Sequence, residues 1–465
     1  MAAWKRSMGM ARMARPTYEQ LEARVRQLEA QNARLEARIA QLERLLEKAT
    51  RDGKRQAAPF SKGPPKDKPN KPGRKSGTNY GPKAHRPIPN QEPDEIINVP
   101  LPAHCDECGG AVEEDHVDQQ VQMEIPRRPI IRRFDIHIGT CRQCGKRFRA
   151  RHALQTSDAV GAAASQLGPD LQAMIAMMKD KYGLSYGDIR GWLKDGFSIP
   201  VTRGGAAHAV LRAGERVRPL YEVFKQLVRR AEAVYPDETG WKIGGVLKWM
   251  WAFVTDTVTI YVIRPSRGKD VPREILGKDY DGRLIHDGWS PYDSFERAIH
   301  QQCLAHLLRR ATELLEKTTG IVARFPNRVK KFLQDALSLR DRRDAGRISD
   351  HGLAVARGRL EKRLDKLLAY KGTQKDNRRF SNHLAKHRRE ILTFLYHADI
   401  EATNWPAEQA MRPAVRNRKL FGGNRAWSGA GAQEVLGSFF ATCGKNAIES
   451  LTTLSHIICR PMPTA

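Results

Sequence analysis

Cysteine is scarce: seven in 465 residues cannot staple a chain of this size as a disulfide scaffold. Four of the seven form two C-x-x-C pairs, so metal binding in a reducing compartment explains them better. A long apolar run is also missing. The nearest approach, Trp249 to Val254 and Val258 to Ile263, is broken by Thr255, Asp256 and Thr257, far short of the roughly 20 apolar residues a spanning helix needs. The opening MAAWKRSMGMARMARPT is basic and has no apolar core of the secretory kind, so we expect a cytoplasmic, nucleoid-associated protein with no membrane partner. Acidic residues are outnumbered, 52 Asp and Glu against 80 Lys and Arg, leaving a formal charge of +28. That excess selects an anionic polymer, double-stranded DNA first.

What is present reads as a multidomain chain, with length for roughly three domains of about 150 residues each. A basic tail (1–17) precedes a heptad segment (18–50). There Leu21, Leu28, Leu35 and Leu42 share one position and Val25, Asn32, Ile39 and Leu46 the other, the seam of a leucine-zipper coiled coil. A single seam Asn favours a parallel homodimer in one register, unless higher homo-oligomers form. Residues 51–93 turn to Lys, Arg, Pro, Gly and Asn without periodicity, a basic flexible linker. In 94–155, Cys105, Cys108, Cys141 and Cys144 supply the four thiolates of a closed structural zinc site, and the alternating VQMEIPRRPIIRRFDIHIGT between the pairs fits the strands of a zinc ribbon. Residues 156–231 read as helices, with LSYGDIRGWLKDGFSIPVTRGGAAHAVLRAG a possible DNA-binding helix-turn-helix whose second helix begins near Thr202.

From residue 232 to 445 the pattern is that of a catalytic domain. AVYPDETGWKI, KWMWAFVTD and TVTIYVIRP are three strand-like runs with short breaks, and GRLIHDGW is a fourth. An antiparallel meander followed by a further strand suits an α/β ribonuclease-H-like fold. Asp237 lies on the first strand and Asp287 just beyond Leu284 and Ile285 on the fourth, so neighbouring strands would bring both carboxylates to one edge. A third comes from TNWPAEQAMRPAVRNRK, with Thr403 or Asn404 as cap, Pro406 in the first turn and Glu408 on the helix. Two Mg²⁺ (or Mn²⁺) ions about 4 Å apart, shared by such carboxylates, can activate an attacking oxygen and stabilise a leaving one at a single phosphate. Arg412, Arg416, Arg418 and Lys419 follow on the same helix and could hold a DNA strand. Taken singly, each acid could equally be a turn residue, a cap or a surface ion pair.

The order of these features, with the phrases YPDETGW, IHDGWSPYD, QQCLAHLLRR and NWPAEQAMRPAVRNRK, resembles the transposases of the insertion sequence 66 family, of the Asp-Asp-Glu class. The resemblance runs over nearly the whole chain. It implies that Asp237, Asp287 and Glu408 are the catalytic metal ligands, with Asp293 and Glu238 as rivals should the alignment slip, and that Cys303 and His306 form a supporting C-x-x-H pair. It also implies a helical insertion (307–400) and small accessory proteins encoded by the same element. The chain departs from the family at Thr403 and Trp405, where Asp and Asn are usual, and at Gln409, where Arg is usual. Residues 446–465 form a C-terminal segment. The expected activity is cleavage of element ends and joining of the 3′ hydroxyl to target DNA. The competing readings are a non-catalytic DNA-binding protein, such as a decayed transposase or repressor, and a metal-dependent nuclease that does not join.

Overall fold

A computed structural model describes residues 92–126, 128–157 and 166–460, together with residues 19, 22, 26–36, 38–39 and 41–42. The basic tail, nearly all of the basic linker, and the seam residues Leu21, Val25 and Leu46 lie outside the described residues. The chain separates into two compact units, Met1–Glu124 and Ile125–Ala465. In the first, residues 26–36 are helical, and Leu28, Leu35, Ile39 and Leu42 stand about half exposed, so the apolar stripe is not covered by this unit's other described residues.

The second unit is built on a five-stranded sheet of order β5-β4-β3-β6-β7. β3 (Ala233–Ile243) and β4 (Val246–Val254) form a hairpin whose two loop residues, Gly244 and Gly245, have φ of 56° and 82°. Both angles lie in the left-handed region that a two-residue hairpin turn requires and that glycine adopts without steric cost. β5 (Thr259–Arg264) continues the meander antiparallel to β4. β6 (Arg283–His286) then pairs in parallel with β3, and β7 (Ile299–Gln302) in parallel with β6. The four expected strands are present. The fifth, the polar IHQQ, has no apolar alternation to betray it.

Period-two alternation divides the sheet's side chains between two layers. Trp251, Phe253, Ile260, Val262 and Leu284 face one core with helices α1 (Pro169–Asp180), α3 (Arg203–Arg229), α10 (Trp427–Lys445) and α11 (Ser450–Cys459). Tyr235, Met250, Ala252, Val254, Ile263 and Ile285 face the other, with α5 (Leu304–Lys317), α6 (Arg324–Asp344), α7 (Asp350–Leu368), α8 (Lys375–Lys386) and α9 (Trp405–Phe421). The short α4 (Asp270–Leu276) lies between β5 and β6. Strand β5 is one edge of the sheet, where outward N–H groups would otherwise invite another strand. Side chains of α10 occupy them: Thr259, Tyr261 and Ile263 donate their backbone N–H to Thr442, Ser438 and Glu434 at 3.1, 2.8 and 2.5 Å.

The candidate helix-turn-helix is α2 (Tyr186–Phe197) and α3, joined through Ser198 at φ 56° and capped by Thr202. The second helix is far longer than a recognition helix requires. Its 27 residues bury Ala206, Ala209, Val210, Ala213 and Val217 against the body of the unit, so much of its length is core.

The expected strands between the two C-x-x-C pairs are not formed over most of their length. Among the described residues, β1 (Ile138–Thr140) pairs with β2 (Arg147–Arg149), which lies beyond the second pair, and Ala111 bridges to His104, while Val121, Met123, Ile125, Ile130 and Ile131 are exposed. Alternation sets a strand only when one face has something to pack against. Among the described residues no helix is long and apolar enough to cross a membrane.

Candidate active site

The register of β3 and β6 explains how the two aspartates meet. Ala233 pairs with Arg283 and Val234 with Leu284. Asp237 and Asp287 each lie four positions past the first of these pairs, from 233 to 237 and from 283 to 287, at the same level of adjacent parallel strands. The pleat then chooses between neighbours on β3. Asp237 shares the parity of Tyr235 and Trp241, which face α5–α9, whereas Glu238 shares that of Val234 on the other side. Glu238 is buried there with both oxygens engaged: Arg267 donates to Oε1 at 3.0 and 2.7 Å, and Tyr292 Oη to Oε2 at 3.2 Å. Arg267 is itself clasped between the rings of Trp249 and Trp289, 4.7 and 4.1 Å from their centroids. Asp293 is paired with Lys386 at 2.5 Å.

Glu408 sits in the first turn of α9, on the Asp237 side of the sheet. Its Oε1 lies 3.5 Å from His306 Nδ1 and 4.0 Å from Arg309, and it is buried without a hydrogen-bond donor. Cys303 begins α5. Its backbone N–H donates to the His286 carbonyl at 2.7 Å, and its Sγ accepts the Asn404 N–H at 3.1 Å. Asn404, the cap of α9, donates from Nδ2 to the Pro236 carbonyl at 2.7 Å. One node therefore ties the residue before Asp237, the residue before Asp287 and the head of the helix bearing Glu408. Cys303 and His306 were legible as a pair. Asn404 was read only as a cap, because a sequence does not say where a side chain amide will donate.

The charges of Asp287 and Glu408 both reach Asp237. Burial, then the charges of Glu238 and Asp287, push the Asp237 carboxyl up to about 8, against the Glu238 amide that pulls it down; Glu408 adds to the rise. A buried carboxyl raised by like charges, with a Glu408 oxygen buried without a donor on the same side of the sheet, fits a hard divalent cation that would neutralise them. Among the described residues, two groups bring their ligand atoms within 4.8 Å of one another: Cys303, His306 and Glu408, a group that includes the last of the three carboxylates, and His286, His300 and Glu390.

The basic residues of α9 divide. Arg418 donates to Thr239 Oγ1 at 2.9 Å and to the Gly240 carbonyl, so it braces β3, and Arg416 donates to the Lys181 carbonyl at 2.7 Å. Arg412 and Lys419 are exposed. The helix ends at Gly422 (φ 78°), and Gly423 follows against the Lys242 carbonyl, where a Cβ would stand 2.3 Å away.

Each C-x-x-C pair, taken within its own unit, makes the same turn. Cys105 N–H donates to Gly110 and Gly109 N–H to Cys105, at 2.8 and 2.9 Å; Cys141 N–H donates to Lys146 and Gly145 N–H to Cys141, also at 2.8 and 2.9 Å. Gly109 and Gly145 hold φ of 73° and 71°. Amide N–H groups of Cys108 and Glu107 lower the Cys105 thiol, and those of Cys144 and Gln143 lower Cys141, which favours the thiolate that binds metal.

Residues 164–433 match the family model described as Transposase IS66 family. The chain belongs to that family. Transposition of DNA is therefore its business, and the matched span contains Asp237, Asp287, Glu408, Cys303 and His306 but neither C-x-x-C turn. A search of curated proteins found no match. For this IS66 family member the raised Asp237 carries a pH consequence. An acid raised on folding costs the native state nothing below its unfolded value of about 3.9, and the cost grows as pH rises toward the folded value. In dialysed protein without added Mg²⁺, Asp237→Asn should therefore unfold at a higher temperature than the parent at pH 8, the difference closing as pH falls toward about 4. Thermal unfolding across that range checks it, and an equal gain at every pH would contradict it.

Proposed function

We propose that this chain is a metal-dependent DNA transposase of ribonuclease-H-like fold, cleaving element ends and joining the freed 3′ hydroxyl to target DNA. The observation that supports this most is the convergence of Asp237, Asp287 and Glu408 from two parallel strands and a helix, with like charges pressing on Asp237. The strand order, an antiparallel meander continued by two parallel strands, supports the fold. Those three side chains would hold Mg²⁺ or Mn²⁺, which when bound stabilises charge on the attacking and leaving oxygens of a phosphodiester. His306 and Arg309 steady Glu408 from α5. Arg412 and Lys419, exposed on α9, would grip phosphate, fixing the strand's position without reading its sequence. On wild-type protein with duplex element ends and Mg²⁺, both cleaved and joined products are expected. Cleavage alone would leave a nuclease, and binding alone a repressor.

The half-exposed stripe of Leu28, Leu35, Ile39 and Leu42 supports a zipper that pairs two copies through a partner Asn32. The four knuckle cysteines are proposed, on donor chemistry, to bind one structural zinc. Because such binding contributes folding free energy, Cys108→Ser should lose zinc by elemental analysis and become protease-sensitive around residues 94–155, with Mn²⁺ binding at the carboxylates unchanged. A parent protein without zinc would remove the idea.

A further inference from the structure

Of the three carboxylates, Asp287 is the one that no helix or strand holds, since β6 ends at His286. Its Oδ1 accepts the Trp289 backbone N–H at 2.9 Å, and both of its neighbours are held as well. His286 is fully buried, and its Nδ1 accepts the Gly288 backbone N–H at 3.1 Å. A backbone amide can only donate, so Nδ1 is the acceptor and the ring proton sits on Nε2. From there it donates to His300 Nδ1 at 2.9 Å, which places the His300 proton on Nε2, facing the Phe295 carbonyl at 2.9 Å. Donors and acceptors alternate with one arrangement of protons. A metal held by His286, His300 and Glu390 would need the lone pair of His286 Nε2, moving its proton to Nδ1 against an amide N–H. The hydrogen bonds therefore favour a relay over a second metal site.

The other neighbour, Gly288, has φ 87°, and a Cβ there would stand 2.3 Å from Gln302 Oε1 and 2.9 Å from His383 Cε1. Gln302 donates from Nε2 to Glu390 Oε2 at 2.6 Å, an oxygen that also takes His387 Nδ1 at 2.9 Å. His383 lies in the last turn of α8, and His387 and Glu390 in the short segment just after it. The far end of the helical insertion thus reaches the loop of the second aspartate.

We propose that the His286–His300 relay and the Gln302–Glu390–His387 brace are a positioning device that sets the Asp287 carboxylate for its divalent cation. The proposal rests on Asp287 being a metal ligand. Partners behind a ligand orient it, and losing them typically costs about ten- to a hundredfold in metal affinity or activity. The test is the Mn²⁺ dissociation constant of the full-length protein, read from the electron paramagnetic resonance of free Mn²⁺. His300→Phe keeps a ring but removes both hydrogen bonds; His300→Gln offers one acceptor and one donor in their place. We expect His300→Phe to weaken Mn²⁺ binding by roughly tenfold or more, His300→Gln to recover most of it, and DNA affinity to stay within about twofold, since that rests on phosphate contacts. Gln302→Met, which breaks the brace at similar volume, should weaken Mn²⁺ binding likewise and serves if His300→Phe does not fold. Asp287→Asn is run beside them. If it binds Mn²⁺ as the parent does, the ligand reading falls. If it loses Mn²⁺ while His300→Phe and Gln302→Met bind normally, only the positioning proposal falls; stoichiometric zinc that His300→Phe releases would overturn it as well.

Discussion

Replacing Asp237 or Asp287 by Asn, or Glu408 by Gln, should lower cleavage and joining by roughly a thousandfold or more while affinity for an end sequence changes little. Each amide keeps the shape of the side chain and removes one negative charge from the group that would bind the cation. Binding to DNA depends mainly on Lys and Arg at phosphates, so it survives. Because the three act as one unit, pairs of substitutions should be hardly worse than single ones. Asp293→Asn should retain most activity, since that carboxylate is taken by Lys386. Glu238→Gln addresses the pleat: its oxygens are held by Arg267 and Tyr292 on the other side of the sheet, so the change should leave Mn²⁺ affinity and most activity in place. Measured rates in Mg²⁺, with Asp287→Asn cutting normally and Asp293→Asn inactive, would reassign the second ligand.

Gly288→Ala should be the next most damaging. At φ 87° an alanine is strained wherever it stands, and its methyl would overlap Gln302 Oε1 inside a packed junction. The φ strain falls on the loop itself, beside Asp287, and any shift of Gln302 disturbs its bond to Glu390. A displacement of about 1 Å at a reacting centre can cost on the order of a hundredfold in rate, and that is the loss expected in single-turnover cleavage. Retention of parental rate would show that the loop tolerates movement.

Tertiary brace and sequence pattern meet differently in different parts of the chain. The hairpin of β3 and β4 was legible because Gly-Gly separates two apolar runs, and the first turn of α9 because a cap and a proline precede Glu408. Such signals are local, set by backbone geometry and by which side chains prefer water. The heptad, the two C-x-x-C turns and the excess of base over acid are of the same kind.

What the sequence by itself determined is the inventory: a mixed α/β catalytic region, three carboxylates, a C-x-x-H pair and a basic chain suited to DNA. The tertiary structure alone decided that Asp237 rather than Glu238 faces Glu408, because the pleat assigns alternate residues to opposite layers and only the packed helices say which layer is which. It likewise decided that Arg418 braces β3, that Asn404 ties Pro236 to Cys303, and that His300 and Gln302 secure the Asp287 loop. These are pairings between residues far apart in the chain, and a hydrogen bond depends on where two groups meet in space, for which neither spacing nor composition carries a signal.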